Sequence, residues 1–201
     1  MFRIVSKLLL ASLALLICGS TAAQNVQVKD GQVIGAGFAV NLPPGISVDV
    51  SANSESMHGF YVALPPRPPD VPPNSAPSRS YRYIAFDTKW DLGDMPSLDA
   101  AVQAVTGDLI EYVPSYLVNS DIVVDANLPA RLGTLPARRL VLKFKNSAHK
   151  QAIRQMIIGY RARDDASAIV YLLVLNTTEE NFDDDLGIFG KILAGFKVTN
   201  Q

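Results

Sequence analysis

The sequence predicts a mixed α/β fold of the α+β class, in which strands and two helices share one core. The chain of 201 residues is 48% hydrophobic, which suits a single compact domain. Residues 91–113 carry apolar side chains at helical spacing, whereas residues 138–175 show strand-like patterns separated by turns. A second helical pattern then closes the chain. Together these observations predict a layered domain of strands and helices.

The first 23 residues have the pattern of a cleavable export signal. Arg3 and Lys7 supply positive charge, an apolar run covers residues 8–18, and small residues follow it. The apolar run is about half of the ~20 residues that span a bilayer, so a permanent membrane anchor is disfavoured. We therefore expect cleavage between Ala23 and Gln24. The product would be exported to the periplasm or to the cell exterior, without a permanent membrane span.

The chain that remains after cleavage has a composition that excludes several kinds of chemistry. Cys18 is the only cysteine, and the bulky residues before it argue against lipid attachment there. The exported chain can therefore form no disulfide. Removing Arg3 and Lys7 leaves 16 basic residues against 19 acidic ones, a net charge of about −3. Nucleic-acid binding needs a basic excess or stripe, so no nucleic-acid partner is expected.

The first half of the exported chain is predicted to consist mostly of strands. Residues 24–36 form a polar lead-in with at most a short strand, and one domain is expected over residues 37–201. Alternating apolar residues predict strands at 38–42, 46–50, 60–64 and 81–86. Prolines at 43 and 44 interrupt the first two strands, so that pair should lie at an edge or a corner.

A proline-rich loop at residues 65–77 separates two of these strands. It contains seven of the thirteen prolines of the chain, and so long a loop is either functional or a solvated spacer. It favours the polyproline II conformation, which aromatic grooves of partner proteins recognise. The candidate partner-docking residues are Pro65, Pro66, Arg67, Pro68 and Pro69. The alternative is a stiff, solvated hairpin loop without a partner.

The second half is predicted to contain a helix followed by the main strands. Ser97 is a good N-cap, and the apolar face that includes Ala101 and Val105 indicates a helix packed on the core. Short strands are expected at 121–125 and 131–133, around a turn at 127–130. Longer strands are expected at 138–145, 152–162 and 168–175.

The last helix is predicted from the pattern of its two ends. Residues 177–180 read as a capping box, and Gly195 suits the left-handed position that ends many helices. The acidic run at residues 183–185 lacks the spacing of a calcium loop. The favourable interaction of acids with the helix dipole explains these three residues without a metal.

This order of elements resembles the Mog1/PsbP-like family. The features that carry the resemblance are residues 37–43, 133–139, 171–175 and 195–196, and it covers most of residues 33–198. The resemblance implies an α/β/α sandwich around a mostly antiparallel central sheet. It also implies a binding role, as in accessory subunits, chaperone-like adaptors and envelope proteins. No catalytic residue follows from it, because the family shares none that could be placed here.

The sequence contains no pattern that indicates catalysis or a cofactor. His58 and His149 are isolated, no metal-ligand spacing occurs, and there is no Gly-x-Ser-x-Gly motif. We therefore expect no metal and no cofactor. Two alternatives stay open: a hydrolase whose residues converge only in space, and a small-molecule or lipid carrier with a cavity between helices and sheet.

A group of basic residues is the second candidate binding surface. Arg139, Lys143 and Lys145 share one face of a predicted strand, and three more arginines come from its neighbour: Arg154, Arg161 and Arg163. Together they predict a surface for an anionic partner, with a solvated surface of mixed charge as the alternative. The leading hypothesis is an exported, non-enzymatic binding or adaptor protein of the bacterial envelope, whose partner is another envelope protein.

Overall fold

The computed structural model describes residues 26–50, 59–64, 82–89, 96–112, 123–145, 151–163 and 168–199. The predicted signal, its cleavage site at Ala23 and Gln24, and the proline-rich loop at residues 65–77 lie outside the described residues. The same is true of His58 and His149. Along the described part, no helix is both long and apolar enough to cross a membrane.

The described elements are ten strands, two α-helices and one short 3-10 helix at Glu179–Asn181. The helices are α1 (Leu98–Tyr112) and α2 (Phe182–Ala194). The strands are β1 (Gln27–Lys29), β2 (Gln32–Gly35), β3 (Phe38–Asn41), β4 (Phe60–Ala63), β5 (Tyr83–Lys89), β6 (Val123–Leu132), β7 (Leu135–Lys145), β8 (Gln151–Ala162), β9 (Ala168–Thr178) and β10 (Phe196–Val198).

The strands form two sheets in which all neighbours are antiparallel. The larger sheet has the order β4-β5-β9-β8-β7-β6, and the smaller one has the order β1-β2-β3-β10. Residues 24–36, predicted as a polar lead-in, therefore supply two strands of the smaller sheet. The central strands β8 and β9 are buried on both faces, which explains their continuous apolar runs.

Helix α1 covers one face of the larger sheet. Its buried residues Ala101 and Val105 pack against Leu140, Met156 and Ile158 of β7 and β8. The helix begins as predicted, because the Ser97 hydroxyl accepts a hydrogen bond from the Ala100 amide at 3.2 Å.

Helix α2 and the smaller sheet cover the opposite face. The aromatic ring of Phe86 lies at the centre of this core, 4.6 Å from Phe38 and 5.5 Å from both Phe60 and Phe196 between ring centroids. Phe189 of α2 completes the apolar cluster. The predicted α/β/α sandwich around a mostly antiparallel sheet is thus confirmed, with the smaller sheet as an addition beside α2.

Strand β6 shows that the predicted turn at residues 127–130 is wrong. It runs without interruption through residues 127–130, where a turn was expected, and its only irregularity is a register shift between Val124 and Ala126. Pro129 suggested the turn, because proline cannot donate to a ladder. At the edge of a sheet its missing N–H can face away from the neighbouring strand, so a strand tolerates it.

Both predicted ends of α2 are wrong in their details. Thr177 and Thr178 belong to β9, and neither helical start has a side-chain cap, so the capping box is absent. Gly195 has φ −79° and is not left-handed. A Cβ there would lie 2.3 Å from the Asn41 carbonyl oxygen. Glycine is therefore required by the close approach of β3, not by a turn.

Candidate partner-binding surface

A buried polar cluster joins α2 to the larger sheet. Arg82 donates from Nε and Nη2 to the two carboxylate oxygens of Asp185, at 2.9 and 2.6 Å. The Thr177 hydroxyl donates to the same carboxylate at 2.5 Å, and Asp185 is only 1% exposed. Asp185 is therefore an ion-paired core residue as well as an acid in the first turn of α2, and the helix-dipole prediction did not include the ion pair. The available signal was its helical spacing with the apolar residues Phe189 and Ile192.

The six predicted basic residues are divided among different parts of the molecule. Arg139 and Lys143 lie on the α2 side of β7, four residues apart, which corresponds to about 13 Å along a strand. Arg154 lies on the opposite face of the sheet. Its Nε donates to the Asn176 side chain at 3.2 Å, and its guanidinium carbon lies 5.5 Å from the centroid of the Phe144 ring.

The other three predicted basic residues, Lys145, Arg161 and Arg163, add little to a basic surface around Arg139 and Lys143. Arg161 donates to the Thr199 carbonyl at 3.3 Å, and the buried Tyr171 hydroxyl donates to the Gly37 carbonyl at 3.3 Å. Burial raises the pKa of Tyr171, and the Arg161 guanidinium acts against this increase. Arg163 is exposed just beyond the end of β8, and only the backbone of Lys145 is described. The structure therefore places Arg139 and Lys143 on one face of β7, about 13 Å apart along the strand, and Arg154 on the opposite face.

Strands β6 and β7, with the turn between them, form the surface that we call the β6–β7 arm. The two-residue turn at Gly133 and Thr134 connects them, with Gly133 at φ +58°. The described residues include four large hydrophobic side chains that are exposed, and three of these belong to β6: Val123 (53%), Val124 (60%) and Leu128 (46%). The register places Val123 and Leu128 on the α2 side and Val124 on the α1 side, so both faces of this edge expose apolar area, which is a feature of contact surfaces.

Basic side chains line both faces of the β6–β7 arm. Arg139 and Lys143 lie on the α2 side, where Lys143 forms an ion pair of 3.4 Å with Asp125. Arg131 and Arg138 lie on the α1 side, because they pair in register with Pro136 and Pro129 on that face. Sequence reasoning missed these two arginines. The available signal was that Arg138 and Arg139 are adjacent in a strand and so point to opposite faces.

An open groove runs between the arm and the start of α1. It has a volume of about 580 Å³ and is lined by Leu98, Pro129, Pro136, Arg131 and Arg138, among others. The Arg138 guanidinium donates to the Asp99 carboxylate at 3.0 Å. Among the described residues, no three His, Cys, Asp or Glu side chains are grouped so that they could hold a metal ion. The groove therefore offers apolar contact and positive charge.

The backbone of β6 is poorly suited to pairing with a further strand. The two-residue turn makes Leu132 and Leu135 a hydrogen-bonded pair, so alternate residues of β6, including Pro129, direct their backbone groups outward. Pro129 has no N–H to donate, and the bulge beside Val124 interrupts the edge further. Prolines and bulges of this kind prevent the edge strands of natural sheets from pairing with another chain. The arm therefore presents side chains, rather than a continuous backbone ladder, to a partner.

No family model and no curated protein matches this chain. Among solved structures, the fold is similar to LpqN of Mycobacterium tuberculosis, which is involved in cell envelope biogenesis. The TM-score is 0.55 and the identity 14%, over 81% of this chain and 83% of LpqN.

Two further structures align over most of their length. For PsbP of Synechocystis sp. PCC 6803 the TM-score is 0.48 and the identity 13%, over 90% of this chain and 97% of PsbP. For the Ran-binding protein Mog1p of Saccharomyces cerevisiae the TM-score is 0.45 and the identity 12%, over 81% of this chain and 90% of Mog1p. The likeness to LpqN shows the fold, and the predicted Mog1/PsbP-like fold is confirmed.

Proposed function

We propose that this chain is an exported, non-enzymatic binding or adaptor protein of the bacterial envelope, and that it holds another envelope protein through the β6–β7 arm. One observation carries the proposal. The arm concentrates three exposed hydrophobic side chains and four basic ones at an edge of the sheet. At the other end of the sheet, the charged residues Arg82 and Asp185 are buried in a mutual ion pair.

The chemistry of the arm defines the partner that would fit it. Protein interfaces combine a central apolar patch with a polar rim. Here each face of the arm combines the two: Leu128 lies opposite Arg139 on the α2 side, and Val124 lies on the α1 side, which Arg131 and Arg138 also occupy. A complementary partner would present apolar residues surrounded by acidic ones.

The envelope setting rests on two supports. Residues 1–23 have the pattern of an export signal. LpqN, which has the same fold, is involved in cell envelope biogenesis. Two alternatives have less support. The groove beside the arm is open rather than enclosed, which disfavours a carrier, and the sequence has no Gly-x-Ser-x-Gly motif to indicate a hydrolase.

Crosslinking and capture from the native envelope test the proposal. The tagged protein would be compared with a variant that carries Val124→Ser and Leu128→Ser and with the matched control Val28→Ser. Val28 is 48% exposed and lies on β1, outside the arm. We expect a reproducible partner that the double variant loses and the control keeps. Capture that is equally strong with the double variant, or absent with the unmodified protein, would contradict the proposal.

A further inference from the structure

The groove between α1 and the β6–β7 arm has a defined arrangement of charge. Arg131 lies opposite Pro136 in the register, and Arg138 lies opposite Pro129. The two arginines are thus diagonal neighbours on one face, with Cα atoms about 7–8 Å apart. The two prolines occupy the other diagonal, and Leu98 of α1 closes one side.

An acidic side chain of the protein already pairs with one of the two arginines. The Asp99 carboxylate accepts a hydrogen bond from Arg138 at 3.0 Å, and the side chains are 72% and 31% exposed, respectively. An ion pair this exposed contributes little to stability, since water competes for both groups. A second carboxylate could therefore displace Asp99 from Arg138 at small cost.

The spacing of the arginines matches an extended peptide. Alternate residues of an extended chain point to the same side and are about 6.6 Å apart. Two carboxylates at positions i and i+2 would therefore reach Arg131 and Arg138 together.

We propose that this groove binds an extended, acidic polypeptide segment with carboxylates at positions i and i+2, and that Asp99 competes with it for Arg138. The inference rests on the proposed function and names the chemistry of the partner. Anionic lipid is the less favoured source of negative charge. Recognition of anionic lipid uses clusters of about four to eight basic residues, and the residues that line the groove include two, Arg131 and Arg138.

The test is a titration of the isotopically labelled protein, followed by NMR, with a short synthetic peptide that alternates glutamate and valine. We expect shifts at Leu98 and on both sides of the Gly133 turn. Arg131→Gln and Arg138→Gln should each weaken binding by about tenfold or more, as loss of a charge-assisted hydrogen bond does. Asp99→Asn should strengthen binding severalfold, because it removes the competitor and leaves Arg138 in place.

Two matched controls keep the test specific. Arg139→Gln changes the neighbouring residue on the opposite face of β7, and it should leave the affinity within about twofold, as for a contact outside the interface. A peptide with the same composition but with its glutamates adjacent should bind more weakly, because only one of them can face the groove.

Several outcomes would overturn the inference. These are no shift with the alternating peptide, equal losses with Arg139→Gln and Arg138→Gln, or weaker binding after Asp99→Asn. Equal dependence on Arg131 and Arg138 in binding to phosphatidylglycerol vesicles, without peptide binding, would assign the groove to lipid instead. If the peptide fails while envelope capture still requires Val124 and Leu128, the groove inference alone falls and the proposed function stands.

Discussion

The two edges of the larger sheet differ in how their polar groups are used. At β4 the edge is closed, because Tyr61 and Asp49 exchange two backbone hydrogen bonds of 2.8 and 2.9 Å. Arg82, just before the neighbouring strand β5, forms a buried ion pair with Asp185 that links α2 to the sheet. At β6 the edge has no neighbouring strand among the described residues, and Val124 and Leu128 are exposed there.

This contrast separates charges that maintain the fold from charges that are available to a partner. Arg82 and Asp185 satisfy each other inside the core and leave nothing for a ligand to contact. Lys143 and Arg138 are paired with acids only at the surface, where such pairs are weak and exchange readily. Mutations should therefore affect stability at one end of the sheet and binding at the other.

The largest effect is expected when the buried ion pair is broken. Asp185→Ala leaves the Arg82 guanidinium buried without its partner, and it should lower the free energy of unfolding by about 3–5 kcal/mol. Urea denaturation would measure the change. The matched control is Asp183→Ala, an exposed acid in the same helical turn, which should cost no more than about 1 kcal/mol. Similar losses for both variants would show that Asp185 acts only through the helix dipole.

A smaller effect is expected at the contact between Gly195 and β3. Gly195→Ala places a methyl group 2.3 Å from the Asn41 carbonyl oxygen, and relief of that clash should cost about 1–3 kcal/mol. Gly187→Ala is the control in α2, since its Cβ would meet no atom within 4 Å. It should stabilise the helix by up to about 1 kcal/mol. Thermal denaturation of the two variants should therefore shift in opposite directions.

The closed edge should also be sensitive to alkaline pH. Burial, with Tyr83 and Asp87 nearby, raises the pKa of Tyr61 from 10.0 to about 12. The folded state thus holds this proton more tightly than the unfolded state does. The stability that it contributes is complete below pH 10.0 and is lost as the pH rises to about 12. Tyr61→Phe should reduce that loss, as denaturation at several alkaline pH values would show. An unchanged pH dependence would count against the raised pKa.

The smallest effect on stability is expected at the open edge. Leu128→Ser removes an exposed side chain and should change the free energy of unfolding by no more than about 0.5 kcal/mol. The same substitution should weaken capture of the partner, because apolar contact supplies much of the energy of an interface. A large loss of stability in urea denaturation would instead assign Leu128 to the core.

Periodicity predicted the interior of the fold well, because burial imposes it directly. Residues 152–162 and 168–175 alternate or run apolar as central strands do, and Ser97 caps α1 as expected. The open edge was harder to predict, because a proline that ends a central strand is allowed in an edge strand such as β6. The arrangement of the basic residues was harder to predict than the open edge. Whether Arg154 joins Arg139 depends on which face each residue occupies, and this follows from the register between β7 and β8.

Site-specific crosslinking in the native envelope tests the central claim most directly. A photoreactive residue would be placed at position 128 on β6 or at position 28 on β1, two sites that are 46% and 48% exposed. Similar exposure makes location the main difference between them. The proposed binding through the β6–β7 arm predicts a discrete crosslinked product from position 128 and none from position 28. Equal products from both positions, or a product from position 28 alone, would contradict it.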